Sequence, residues 1–496
     1  MKYVLSVDQS TQGTKAMIFD CHGRMLGRSD LPHRQIVNDR GWVSHDLEEI
    51  YSNTLRVTRM VVEKTGVDKN DIACLGISNQ RETAAAWDRE TGKPLCDAIV
   101  WQCARATAIA EEIETAGLAE TVRLKTGMRL SPYFSASKWA WIFRNIEGEA
   151  EKAKLGRVAL GTIDSWLIYN LTGGKSHRTD YSNASRTQLF NITELLWDQD
   201  LMKIFGIEPS CLPELTDSDG CFGFTDLGGY LDNEIPIRSA LGDSHGALFG
   251  QGCLAPGQLK ATYGTGSSIM MNIGDKPILT DLGVVTSLAW KIGGKVNYVL
   301  EGNINYTGAV ITWMKDQVKL IDNPGETEAL ALAANPADHT CLVPAFSGLG
   351  APYWDSRAEA AIIGMTRTTG RNEIVRAALD CIAWQITDIV KAMASGSGTA
   401  VSELRVDGGP TRNAYLMQFQ SDVLNIPVRI PEAEELSGIG AAYAAGIAVG
   451  FLDESVFDRA GRREYRPTMA GELRQSRYQA WLDAVAMIRG PKPAQE

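Results

Sequence analysis

Short apolar runs broken by compact polar turns dominate the first 35 residues. The run Tyr3 to Val7 ends in Asp8-Gln9-Ser10-Thr11-Gln12-Gly13-Thr14-Lys15, and a second run, Ala16 to Phe19, follows at once. His22, Gly23 and Arg24 turn it toward a third, so this stretch predicts a β-meander. Asp46 then precedes Leu47, Glu48 and Glu49, which predicts a capped helix to about Lys64. Ile72 to Ile77 reads as a buried strand followed by polar Ser78 to Thr83, at the strand end where open α/β sheets place ligands. Helical and short extended segments alternate to about residue 235. A strand over Pro236 to Leu241, ending in Gly242 and Asp243, is expected to open a second lobe. Leu404 to Val406, a glycine-rich turn and an amphipathic helix from about Arg412 to Leu424 follow. Ser437 to Gly450 predicts a helix of small residues, for which routine packing is the expectation and close approach between lobes the alternative.

The first hairpin pattern returns half a chain later: Leu259 to Tyr263, then Gly264-Thr265-Gly266-Ser267-Ser268, then Ile269 to Met271. A small-residue turn between strands exposes N–H groups and hydroxyls, so an anion can approach closely. Asp407-Gly408-Gly409 adds a third turn, before a helix whose early residues include Asn413 and whose N-terminus favours anions. Each alone also fits an ordinary turn. In this order they resemble the two duplicated nucleotide-gripping lobes of the actin, sugar-kinase and Hsp70 ATPases. That implies an α/β fold of two ribonuclease-H-like domains around a central cleft.

Composition narrows the function. A chain of 496 residues exceeds one core and suggests two large domains, taken as 1–240 and 241–496. A net charge of −11 argues against general nucleic-acid or anionic-membrane binding, though not against a local phosphate site. Nine scattered cysteines without zinc spacing read as reduced, buried thiols. The five-residue apolar run before Asp8 is too short for a signal peptide, and no apolar stretch reaches ~18 residues, so a soluble, cytoplasmic chain is expected.

Specific motifs sharpen the resemblance. Tyr133-Phe134-Ser135-Ala136-Ser137-Lys138-Trp139-Ala140-Trp141-Ile142 and the run Ala360 to Asp380 are similar to the two signatures of the FGGY carbohydrate kinases. Ser78 to Thr83, Ile99 to Cys103, Asp180 to Thr187, Ser347 to Asp355, Arg405 to Gly409 and Leu416 to Asp422 most resemble the glycerol kinases of that family. The likeness covers nearly the whole chain. It implies ATP-dependent phosphorylation of a small polyol or sugar, with Mg²⁺ held by Asp8 through water and Asp243 as the base toward the acceptor hydroxyl. It places Thr11, Gln12, Gly13, Lys15, Gly264, Thr265, Gly266, Gly308, Gly409 and Asn413 on ATP. Arg81, Glu82, Trp101, Tyr133 and Asp243, with Ser244 and Ser268, would hold the acceptor. A homodimer is the family's expectation.

The departures point to the acceptor. Glycerol kinases usually follow the base with two glutamines, where this chain has Ser244 and His245. An aromatic residue normally packs on glycerol where Ser268 aligns. Small hydroxyls in place of large groups imply a longer acceptor, such as a four- or five-carbon polyol or ketose, with glycerol itself as the alternative. His245 is read as structural rather than as a ligand to an extra hydroxyl. Ser10 stands where the family commonly has Gly, and Lys15 where many members have Arg. The loop Gly228 to Glu234 lacks the arginine with which some members bind a regulatory sugar bisphosphate, so no such inhibition is expected. A filament or chaperone ATPase on the same fold, and a catalytically dead binding protein, are the competing classes.

Overall fold

The three runs of the first 35 residues form antiparallel strands Tyr3–Gln9, Gly13–Phe19 and Met25–Pro32, in a computed structural model that describes residues 2–459 and 461–489. Residues 490–496 of the expected second lobe lie outside the described residues. The register sets Asp8 opposite Lys15, and Ile72–Asn79 joins in parallel with Ser78 beside Asp8. The helix Leu47–Thr65 starts where expected, with the Asp46 carboxylate accepting the N–H groups of Glu48 and Glu49.

The strand Ile235–Gly242 corrects one expectation. It does not open the second sheet; it runs parallel to Ile72–Asn79 in the first, with Gly242 opposite Asn79. Ile237, Ala240 and Leu241 are fully buried. A run apolar on both faces needs an interior slot in a parallel sheet, and only that slot offers two covered faces. The first sheet therefore has six strands, from Gly223–Thr225 at one edge to Met25–Pro32 at the other.

The second sheet repeats the plan. Leu259–Tyr263, Ser267–Gly274 and Lys295–Ile304 form an antiparallel meander, and Leu404–Asp407 joins Leu259–Tyr263 in parallel. Two halves with the same order of strands give the duplicated α/β architecture that the paired hairpins imply.

The helices Asp243–Gly250 and Leu436–Ala448 pack together, and the second also covers strands of the first sheet. A Cβ at Gly440 would overlap the Gly246 carbonyl, and one at Gly76 would overlap that of Ala441. Close backbone approach, not routine packing, is therefore what the small residues of Leu436–Ala448 provide. All nine cysteines are free thiols; Cys21, Cys96, Cys221 and Cys341 are only half-buried, unlike the uniformly buried set expected. Among the described residues no helix is long and apolar enough to cross a membrane.

Candidate active site

The first hairpin closes on itself. The Ser10 N–H and hydroxyl both donate to the Gly13 carbonyl, at 2.9 and 3.0 Å, so serine at position 10 fastens the turn. Gly13 is needed for space rather than for a left-handed φ, because a Cβ there would come 2.6 Å from the Leu31 carbonyl oxygen. Gln12 is exposed at the tip. The Thr11 hydroxyl accepts the Trp101 indole N–H at 2.9 Å, which ties this hairpin to the expected acceptor wall. Lys15 is ion-paired to Glu435, which also takes Arg28 at 2.5 Å, so Lys15 is occupied in this arrangement. Asp8 is buried with its Oδ1 unpartnered, and burial pushes its carboxyl up to about 6 against the pull of Lys15.

The acceptor candidates gather at the end of Ile72–Asn79. Glu82 adopts a left-handed conformation, φ 59°, and its carboxylate lies 4.0 Å from the Arg81 Nε. A non-glycine residue held there costs about 1–3 kcal/mol and persists only where its surroundings enforce it. Here Ser135 donates to the Glu82 carbonyl at 3.1 Å, and the Arg186 Nε donates to the Glu82 carboxylate at 2.5 Å. The Arg81 Nε lies 3.2 Å from Asp243 Oδ1, while both of its terminal nitrogens donate to Glu301 at 3.0 Å. Asp243 is the first residue of its helix and accepts the Ser244 N–H at 2.6 Å, leaving the carboxylate 34% exposed.

Trp101 and Tyr133 stand 5.5 Å apart, tilted at 59°, both half-buried beside this cluster. The buried Lys138 donates to the carbonyls of Pro132, Tyr133 and Phe134, fixing the loop that carries Tyr133. Burial opposes the Arg81 charge, but Glu301, Glu82 and Asp243 outweigh it and hold the guanidinium protonated. Burial likewise opposes ionisation of Glu301, yet Arg186 and Arg81 keep it well below the usual carboxylate range. His245 is fully buried and pushed well below its ordinary value by burial and by Arg81. Its Nε2 lies 3.4 Å from Ser287 and its Nδ1 is unpartnered.

The second hairpin joins Leu259–Tyr263 to Ser267–Gly274. Gly264 and Thr265 are exposed at its tip, and Gly266 lies so near Ile304 that a Cβ would overlap that carbonyl. Thr307, Gly308 and Ala309 donate backbone N–H groups to Thr265 and Gly264 at 2.9–3.0 Å, which brings Gly308 to this turn. The Ser268 hydroxyl is buried without a partner. Gly408, φ 102°, passes so close to the Tyr263 carbonyl that only glycine fits. Gly308, Gly409 and Asn413 then line one cavity of about 550 Å³ with Ile311, Leu379 and Leu416, a size and apolarity suited to a nucleoside. The Asn413 side chain is spent on structure: it caps Leu416 N–H at 2.9 Å and donates to Thr327 at 3.0 Å.

Residues 3–250 match the FGGY family of carbohydrate kinases, N-terminal domain, and residues 259–449 match its C-terminal domain. The chain belongs to this family. Among its relatives, glycerol kinase 1 of Thermotoga maritima is 49% identical over 489 residues, covering 98% of this chain and 99% of that one. The glycerol kinase of Carboxydothermus hydrogenoformans is 46% identical over 491 residues, covering 98% of each. A crystal structure of Plasmodium falciparum glycerol kinase with ADP has a TM-score of 0.93 at 36% identity, covering 99% of both chains. A xylulose kinase from Lactobacillus acidophilus, at 21% identity, TM-score 0.87 and 98% of both chains, shares the fold.

As an FGGY carbohydrate kinase, this chain is an ATP-dependent enzyme, which sets aside the filament, chaperone and dead-protein readings. Arg186 and Glu301 are members of the charged cluster that were not singled out among the site residues. Arg186 lies in the glycerol-kinase-like stretch Asp180 to Thr187. Glu301 had a fainter signal, a lone carboxylate inside the strand pattern Val299-Leu300-Glu301-Gly302, where an unpaired charge is too costly to bury.

Proposed function

We propose that this kinase transfers the γ-phosphoryl group of ATP to a hydroxyl of a small polyol, with Asp243 taking the hydroxyl proton. The observation that carries the reading is the convergence of Asp243, Arg81 and Glu82 at one sheet end, beside an indole and a phenol. Charged groups fix hydroxyls by hydrogen bonds while aromatic faces cover C–H surface, which is the chemistry a polyol needs. The exposed tip of the second hairpin, Gly264 and Thr265, is the turn we assign to the transferring phosphoryl group. The cavity lined by Gly308 and Gly409 fits the nucleoside.

The site also fits magnesium. A buried carboxylate oxygen without a partner, as at Asp8 Oδ1, is costly unless a cation or water meets it. An ion held by one carboxylate through water and otherwise by phosphates needs no protein cage of several ligands. Bound there, magnesium would neutralise the phosphate charge. The homodimer rests on the family resemblance alone.

Glycerol is the acceptor that the relatives' names support. The longer acceptor is the second reading, favoured by the unpartnered Ser268 hydroxyl and by Ser244. Rates with glycerol, erythritol, xylitol, ribitol, arabinitol, xylulose and ribulose discriminate them. Glycerol preferred tenfold or more in kcat/KM rejects the longer acceptor, and a four- or five-carbon compound in first place rejects glycerol. One tenfold step corresponds to ~1.4 kcal/mol of transition-state binding.

Sugar-bisphosphate control is not expected. In the loop Gly228 to Glu234, Asp232 pairs with Lys69 at 2.6 Å and Asn70 at 3.1 Å, and the segment adds no arginine for an anion. Addition of fructose 1,6-bisphosphate should leave the rate unchanged, and strong inhibition refutes this.

A further inference from the structure

We propose that Glu301 is a positioning residue for phosphoryl transfer, acting from the second lobe on the acceptor-binding residues of the first. Glu301 stands in Lys295–Ile304, opposite Met270 in the second sheet, and its side chain is fully buried. Its two oxygens receive both terminal nitrogens of Arg81, each at 3.0 Å, the parallel geometry in which a guanidinium has least rotational freedom. That grip turns the remaining edge of Arg81, its Nε, toward Asp243 at 3.2 Å.

The same carboxylate lies 2.9 Å from the Arg186 Nη1, and the Arg186 Nε donates to Glu82. Arg81, Glu301, Arg186 and Glu82 therefore form a chain of alternating charge in which every member is at most 6% exposed. Two arginines and two carboxylates cancel, so burial is tolerated only while all four are present. Glu301 is the only one of the four supplied by the second sheet. It thus fixes the directions of both Arg81 and Glu82 and ties them to the lobe that carries the Gly264–Gly266 turn. Within their own turn Arg81 and Glu82 approach only to 4.0 Å, so the shorter contacts to Glu301 and Arg186 set their directions.

The inference rests on the reading of Arg81 as acceptor-binding, and the experiment separates the two. Glu301→Gln keeps the shape of the side chain and removes its charge. Acceptor kcat/KM should fall on the order of a hundredfold, since small displacements of positioning groups have effects of that size. KM for ATP should stay nearly unchanged. The double variant Arg81→Lys/Glu301→Gln should lose clearly less than the product of the two single losses, because Glu301 acts in large part through Arg81. Glu301→Asp, which keeps the charge, should recover part of the loss, and it replaces Glu301→Gln in the cycle if that variant does not fold.

Multiplicative losses in the double variant, or equal losses toward ATP and acceptor, overturn the proposal, since a general packing defect gives both. If Arg81→Lys itself leaves acceptor kcat/KM unchanged, the acceptor-site reading fails instead. If Arg81→Lys is impaired while Glu301→Gln is not, the proposal alone fails.

Discussion

Asp243→Asn lowers kcat for acceptor phosphorylation by about 10²–10⁴-fold, the usual contribution of a positioned general base. Asparagine keeps the size of the side chain and an oxygen for the Ser244 N–H, which the carboxylate now accepts at 2.6 Å. It loses the capacity to take a proton from the acceptor hydroxyl. The Arg81 Nε stands 3.2 Å from the carboxylate, at ion-pair distance. The cavity lined by Gly308, Gly409 and Asn413, proposed for the nucleoside, does not include Asp243, so ATP binding should persist. Initial rates with saturating ATP and a titrated acceptor test this. A variant within threefold of the wild type removes Asp243 from the role of base.

Asp8→Asn abolishes transfer and at the same time stabilises the free enzyme at neutral pH. Burial pushes the Asp8 carboxyl from its ordinary 3.8 up to about 6. A raised carboxylate pKa means that the folded chain binds this proton more tightly than the unfolded chain. The resulting cost is absent below the unfolded pKa, develops as pH rises from about 4 to about 6, and is complete above that. Two units correspond to at most about 3 kcal/mol. Asparagine carries no such charge, so thermal unfolding without nucleotide or magnesium should move up at pH 7 and hardly at all near pH 4. Equal shifts at both pH values would contradict the account. The gain in stability and the loss of activity share one cause, a carboxylate whose charge is uncompensated until a cation approaches it.

Much of the scaffold was legible. The meander of the first 35 residues, the Asp46 cap and the recurrence of the hairpin at Leu259–Met271 are local, and each matches the strands and caps observed. The three glycine-bearing turns were legible for the same reason: Gly266 and Gly408 sit where a Cβ would strike a carbonyl. The candidate site residues come from motif resemblance, and the contacts that tie them into a network carry no sequence signal. Lys15 was read as a phosphate ligand and is found on Glu435, 420 positions away. Asn413 lines the cavity expected to take the nucleotide, while its amide bonds Leu416 and Thr327.

Sequence by itself determined the duplicated α/β plan, the small-residue turns and the acid at each strand end. These depend on hydrogen-bond period and on steric limits among neighbouring residues, which a few positions encode. Tertiary structure alone decided that Ile235–Gly242 fills a slot in the first sheet and that Gly440 meets Gly246. It also decided that Glu301, among 60 acidic residues, grips Arg81 from 220 positions away. A carboxylate carries no mark of its distant partner. The choice is made where two sheets meet without water, and only a paired charge survives burial there.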